Sequence, residues 1–91
     1  MKLDHNNFGA DGVIALSEGL AVNPTLRLLS LTYCGITKEG AEAIFEILIY
    51  SKSALEEVNL TGNLLKEEGV IRVFQGVSIA KNLKKLYVAD N

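Results

Sequence analysis

LRLLSLTYCGI, Leu26 to Ile36, alternates apolar with polar residues and then breaks at Cys34-Gly35. Leu29 and Leu31 share one parity, so a short extended segment would put both on the same face. Whether this pattern is local or recurs decides the fold, because a fixed period overrides any local assignment. It recurs. LEEVNLTGNLL, Leu55 to Leu65, carries apolar residues at the same offsets, and MKLDHNNF before it and LKKLYVADN after it carry parts of the same pattern. Leu3, Leu31, Leu60 and Val88 form one column; Leu26, Leu55 and Leu83 a second; Phe8, Ile36 and Leu65 a third; Asn6, Cys34, Asn63 and Asn91 a fourth. Gly12, Gly40 and Gly69 follow at spacings of 28 and 29 residues.

After each alternating segment the period changes. In EGAEAIFEILIY the apolar residues Ala41, Ile44, Phe45 and Leu48 recur at i, i+3, i+4 and i+7, one stripe of a helix. Val70, Val73, Phe74 and Val77 repeat it, as do Val13, Leu16 and Leu20. Each unit thus has one strand face and one helix stripe to bury. Neither is satisfied alone, so successive units are expected to stack, strands beside strands and helices outside them. The expected units are 1–25, 26–54, 55–82 and a partial 83–91 in a single domain.

The motif Leu26-x-x-Leu29-x-Leu31-x-x-Cys34-x-Ile36 is that of the leucine-rich repeats. The alternation of 28 and 29 residues, with Asn and Cys exchanging at one column, resembles the ribonuclease-inhibitor-like subclass over the whole chain. That subclass includes Ran GTPase-activating protein and the sensor regions of nucleotide-binding oligomerisation-domain receptors. The resemblance implies an α/β solenoid, a short right-handed horseshoe segment with parallel strands on its concave face and helices on its convex face. About three repeats and a terminal strand are expected.

Composition excludes several functions. The chain has 91 residues, 48% of them apolar, and a net charge of −2 with 9 basic and 11 acidic residues interspersed, which gives no footprint for nucleic acid. No apolar run approaches the length needed to span a bilayer, and MKLDHNNFGADG places charge where a signal peptide would be apolar. One cysteine makes no internal disulfide, so a reducing, cytoplasmic setting is expected. The sequon Asn59-Leu60-Thr61 would matter only in a secreted protein. Neither phosphate-cradling glycine motif occurs, and one His with one Cys makes no metal set, so no cofactor, metal or catalytic residue is expected and the chain is read as a non-enzyme. Cys34 with His5 would be a nucleophile and base only with an orienting acid, and the columns supply none. Asn6, Cys34, Asn63 and Asn91 are instead expected to hydrogen-bond buried loop backbone, with Asn91 only partly paired.

With the apolar columns used in packing, binding is expected from the outward strand columns and the turn that follows them. These are Lys2, Ser30, Asn59 and Tyr87; Asp4, Thr32, Thr61 and Ala89; His5, Tyr33, Gly62 and Asp90; and, before the strands, Leu28, Glu57 and Lys85. Within a column, neighbouring coils oppose charge at Glu57 and Lys85, and along a further column of Arg27, Glu56 and Lys84. Tyr33, Tyr87 and Leu28 are compatible with a desolvated interface, although tyrosine is also an ordinary strand residue. The expected function is a protein-interaction module for a partner of unknown identity. A regulator of a small GTPase and a structural spacer in a cytoskeletal or ciliary assembly are the alternatives. The uncapped outer coils lead us to expect a longer array, self-association, or packing in a larger assembly.

Overall fold

The alternating segments form strands of only three residues each. In the computed structural model, which describes residues 1–20, 23–50 and 52–91, the order is α1 (Gly9–Leu20), β1 (Leu28–Ser30), α2 (Lys38–Ile49), β2 (Glu57–Asn59), α3 (Lys66–Ile79) and β3 (Lys85–Tyr87). The strands form one open parallel sheet in the order β1-β2-β3. Leu29 pairs with Val58 and Val58 with Leu86, so the sequence columns are the strand register. MKL, expected as a strand, is reduced to a single bridge between Lys2 and Ser30, although Leu3 N–H still donates to Ser30 O and Ser30 N–H to Met1 O.

Leu29, Leu31, Val58 and Leu60 on the sheet meet Val13, Ala41, Ile44, Leu48 and Val73 on the helices, all of them buried. Ile36 and Leu65, which close the turns from strand to helix, are buried with them. Leu16, Val70 and Val77 are half-buried at the margins of this core.

The glycine column lets the helices approach. A Cβ at Gly40 would lie 3.5 Å from Ala10 Cα, and one at Gly69 3.2 Å from Lys38 Cα, so each of these glycines meets the backbone at the start of the preceding helix. Asp11, Glu39, Glu67 and Glu68 sit in first helical turns, where their charge complements the helix dipole.

Phe74 departs from the expected pattern. The sequence pattern puts it in one buried stripe with Val70, Val73 and Val77, yet it is 50% exposed. Its counterpart Phe45 is half-buried because α3 covers it: the Arg72 guanidinium carbon lies 3.5 Å above the ring centroid, and a Cβ on Gly76 would be 3.2 Å from Phe45 Cδ1. No element covers the same face of α3 among the described residues.

Candidate functional site

The expected binding columns sit where strands give way to turns, and the backbone there is left-handed. His5, Tyr33, Gly62 and Asp90 have φ of 61°, 56°, 77° and 55°, so one column takes a positive φ in every coil. Such a residue is turned out by the hand of the backbone, and not by strand alternation as expected. Tyr33 is 50% exposed. Its ring stacks on His5, with centroids 5.2 Å apart and planes within 2°, and its other side lies against the bare Cα of Gly62. Nearby, Tyr87 is 43% exposed and Thr61 half-buried.

Other members of the expected surface are used internally. Ser30 is buried, not exposed: its hydroxyl donates to Asp4 Oδ1 at 2.7 Å, and the same oxygen accepts Thr32 N–H at 2.8 Å. The Ser30 hydroxyl, with the Thr32 amide, holds the Asp4 carboxyl below its ordinary range against the opposing cost of burial. This carboxylate therefore ties two coils together. Asn59 is half-buried, and its Oδ1 accepts Thr61 N–H across its own turn. Leu28 is half-buried, with its carbonyl accepting the terminal ammonium of Met1. Lys2, Lys85 and Asp90 are exposed, and Glu57 is half-buried.

Among the opposed charges, Glu56 bridges Arg27 at 3.8 Å and Lys84 at 3.5 Å, as the columns require. Glu57 and Lys85 are strand partners but form no ion pair among the described residues. Two cross-coil pairs were missed: Arg72 with Glu42, at 2.6 and 2.8 Å, and Lys38 with Glu68, at 3.2 Å. Both span 30 residues, one more than the coil, so a search within columns does not find them. Arg72 holds the Glu42 carboxyl below its usual range, and Glu42 raises the guanidinium in turn.

The ladder column reaches backward along the solenoid. Asn63 is 2% exposed; its Oδ1 accepts Cys34 N–H at 2.9 Å and Ile36 N–H at 3.1 Å, and its Nδ2 donates to Leu31 O and Leu60 O, each at 2.8 Å. Asn91 does likewise, its Nδ2 donating to Leu60 O at 2.9 Å and its Oδ1 accepting Leu65 N–H at 3.3 Å. The weakly paired member is thus Asn6, not Asn91: exposed, it donates only to Leu3 O and Asp4 O in its own turn. Cys34 takes the Asn position as a buried free thiol, its Sγ 3.3 Å from Leu3 O and 3.4 Å from Thr32 O. Burial raises its pKa, the opposite of what a nucleophile needs. His5 is engaged with Tyr33 while Cys34 points into the turn, so the two do not meet as nucleophile and base.

Comparison with known proteins agrees with this geometry. The family model described as Leucine Rich repeat matches residues 2–17 and 22–45. The chain belongs to the leucine-rich repeat family. It is 39% identical over 70 residues to ribonuclease inhibitor from Mus musculus, covering 76% of this chain and 15% of that protein. The ribonuclease inhibitor of Sus scrofa is 30% identical over 74 residues, covering 80% and 16%. The protein NACHT, LRR and PYD domains-containing protein 14 of Mus musculus is 38% identical over 71 residues, covering 77% and 7%. The chain therefore spans less than a fifth of the length of these relatives, and it is a repeat module of the ribonuclease-inhibitor-like kind, of the class that mediates protein interaction. No helix of the described residues is long and apolar enough to cross a membrane, and no three His, Cys, Asp or Glu side chains among them converge as a metal site would require.

Proposed function

We propose that this chain is a non-enzymatic module that binds a protein partner on the strand exits of its concave face, centred on Tyr33 and Tyr87. The observation that carries the reading is the exposed Tyr33 ring, fixed between His5 and Gly62. An aromatic ring whose position is already set loses little entropy on docking, and aromatic residues are favoured at interface centres. Lys2, Asn59, Thr61, Glu57, Lys85 and Asp90 would form the polar rim around it. Asp4, Ser30 and Thr32 would act beneath that surface by holding two coils together. Two relatives are named ribonuclease inhibitor, so coils of this type occur in proteins that inhibit another macromolecule, which supports a contact role here. A reducing, cytoplasmic setting belongs to the same proposal and suits the free thiol of Cys34.

A photo-crosslinking residue beside Tyr33 is expected to trap a protein partner that one on the convex helix face does not. Tyr33→Ala with Tyr87→Ala should abolish that product while the helical circular dichroism is unchanged. Undiminished crosslinking would reject this face. A GTP-hydrolysis assay over a panel of small GTPases separates the GTPase-regulating alternative, and no acceleration is expected.

A further inference from the structure

The two edges of the sheet differ in charge. The turns that lead into the strands carry Arg27, Lys52, Lys81 and Lys84 against one acid, Glu56. At the opposite edge, where the chain leaves the strands for the helices, Asp11, Glu39, Glu67 and Glu68 stand in first helical turns against Lys38 and Lys66. A partner segment rich in carboxylates is therefore drawn to the entry edge and turned away from the exit edge.

The entry edge is also hollow. A groove of about 370 Å³ spans the turns into the three strands, with Arg27, Lys81 and Lys84 around it, Ala54 and Leu83 half-buried in it, and Glu56 among the cations. Its backbone is held in place: Asn82 Nδ2 donates to Ser53 O, Glu56 N–H to Arg27 O and Lys84 N–H to Glu56 O, all three at 2.8 Å. The cations are not. Arg27 and Lys84 reach Glu56 only at 3.8 and 3.5 Å, too long for good hydrogen bonds, and their side chains stay 78% and 73% exposed. Lys81 is exposed and has no ion pair among the described residues. One carboxylate thus serves two cations poorly and leaves a third unpaired.

We infer that this groove binds an acidic peptide segment of a partner protein, whose carboxylates take up the hydrogen-bonding capacity of Arg27, Lys81 and Lys84 that Glu56 leaves unused. The spacing limits the segment. Arg27 and Lys84 enter strands two places apart in the sheet, roughly 10 Å. In an extended polyproline-II segment, residues i and i+3 fall on one side roughly 9 Å apart. A Glu-x-x-Glu segment laid across the coils matches, with its aliphatic stems on Ala54 and Leu83. A continuous phosphate backbone fits less well, because it cannot turn its charge away from Glu56 or from the acidic edge opposite.

Titration of the full chain, labelled with nitrogen-15, with a blocked peptide carrying Glu-Leu-Ala-Glu tests the inference. Amide shifts are expected at 53–56 and 81–84 in low salt, and they should weaken as salt is added. Arg27→Ala and Lys84→Ala change exposed side chains, and each should weaken binding about 2- to 5-fold. Glu56→Gln should tighten it by a similar factor, because it frees both cations at once. Glu46→Gln removes the same charge from an exposed place on α2 and should leave binding nearly unchanged. An unaltered amide spectrum away from the groove shows that each variant folds. Absence of shifts at the groove overturns the inference, as do shifts centred on Tyr33, equal gains from Glu56→Gln and Glu46→Gln, or equal binding of a Gln-Leu-Ala-Gln peptide. Tighter binding of a single-stranded oligothymidylate to the same amides overturns it too, by making the groove a polyanion site.

Discussion

The junction between the second and third coils and the junction between the first and second solve one problem with different chemistry. The later junction has Asn63 with four backbone hydrogen bonds, and the Glu42–Arg72–Phe45 cluster outside it. The earlier one has the Cys34 thiol, with two long contacts from one donor, and Ile14 and Ala43 where the cluster would be. Asp4 supplies a further link there through Ser30 and Thr32, and no carboxylate stands at its equivalent in the later junction, Thr32, or further on at Thr61 and Ala89. The same column pairs across both junctions, Lys2 with Ser30 and Ser30 with Asn59, so the period determines where a linking atom is needed and leaves its identity open.

The ladder provides the strongest way to break this comparison. Asn63→Ala would leave the amides of Cys34 and Ile36 and the carbonyls of Leu31 and Leu60 without their buried partner. A loss on the order of 3–4 kcal/mol is expected, against about 1 kcal/mol for Cys34→Ala, read from urea midpoints at unchanged m-value. Equal losses would mean that the two junctions do not differ as described. Next, Gly69→Ala should cost about 1–3 kcal/mol, because the new methyl would press on Lys38 Cα and Leu65 Cβ. Gly19→Ala, which has open space around it, should stabilise a dilute sample by about 0.5–1 kcal/mol through helix propensity. If both substitutions have the same sign, α1 is not open on that flank.

The remaining effects are smaller and sharpen the contrast through solution conditions. The Asp4 carboxyl is held below its ordinary value in the fold, so its contribution is complete above the unfolded-state value and is lost as pH falls through the folded one. Asp4→Asn should therefore remove part of the acid limb of the stability curve and leave the neutral limb nearly flat; an unchanged acid limb would remove Asp4 as a link between coils. Arg72→Ala is expected to destabilise less than Asn63→Ala, and the loss should shrink with added salt, because the Glu42–Arg72 pair is partly exposed. A salt-independent loss would assign the effect to packing on Phe45 instead.

The periodicity made the stack, the strand register and most of the core legible, because Leu29, Leu31, Val58 and Leu60 can be buried in only one arrangement of coils. What stayed illegible depended on direction or stagger along the solenoid. A column of Asn and Cys says nothing about which neighbour the side chains reach, and that they reach backward leaves Asn6 exposed and Asn91 paired. The side chains that meet between α2 and α3 lie 30 residues apart, one more than the coil, which hid Arg72 and Glu42 from an alignment of columns. Phe74 carried a core residue's pattern on a helix covered by no further coil among the described residues. Ser30 reads as a surface serine until the carboxylate of Asp4, 26 residues away, is placed over it.

The left-handed column has a bearing on how such a surface varies. His, Asp and Gly enter that conformation readily, whereas a bulky aromatic residue does so under strain. Tyr33 occupies it with its ring laid across the bare Gly62 of the next coil, where any side chain would strike it. Adjacent members of the column are therefore not chosen independently: the Tyr33 ring requires the glycine at position 62 in the next coil. The diversity available to this edge is counted in pairs of neighbouring coils, and a graft of Tyr33 into another array would have to bring Gly62 with it.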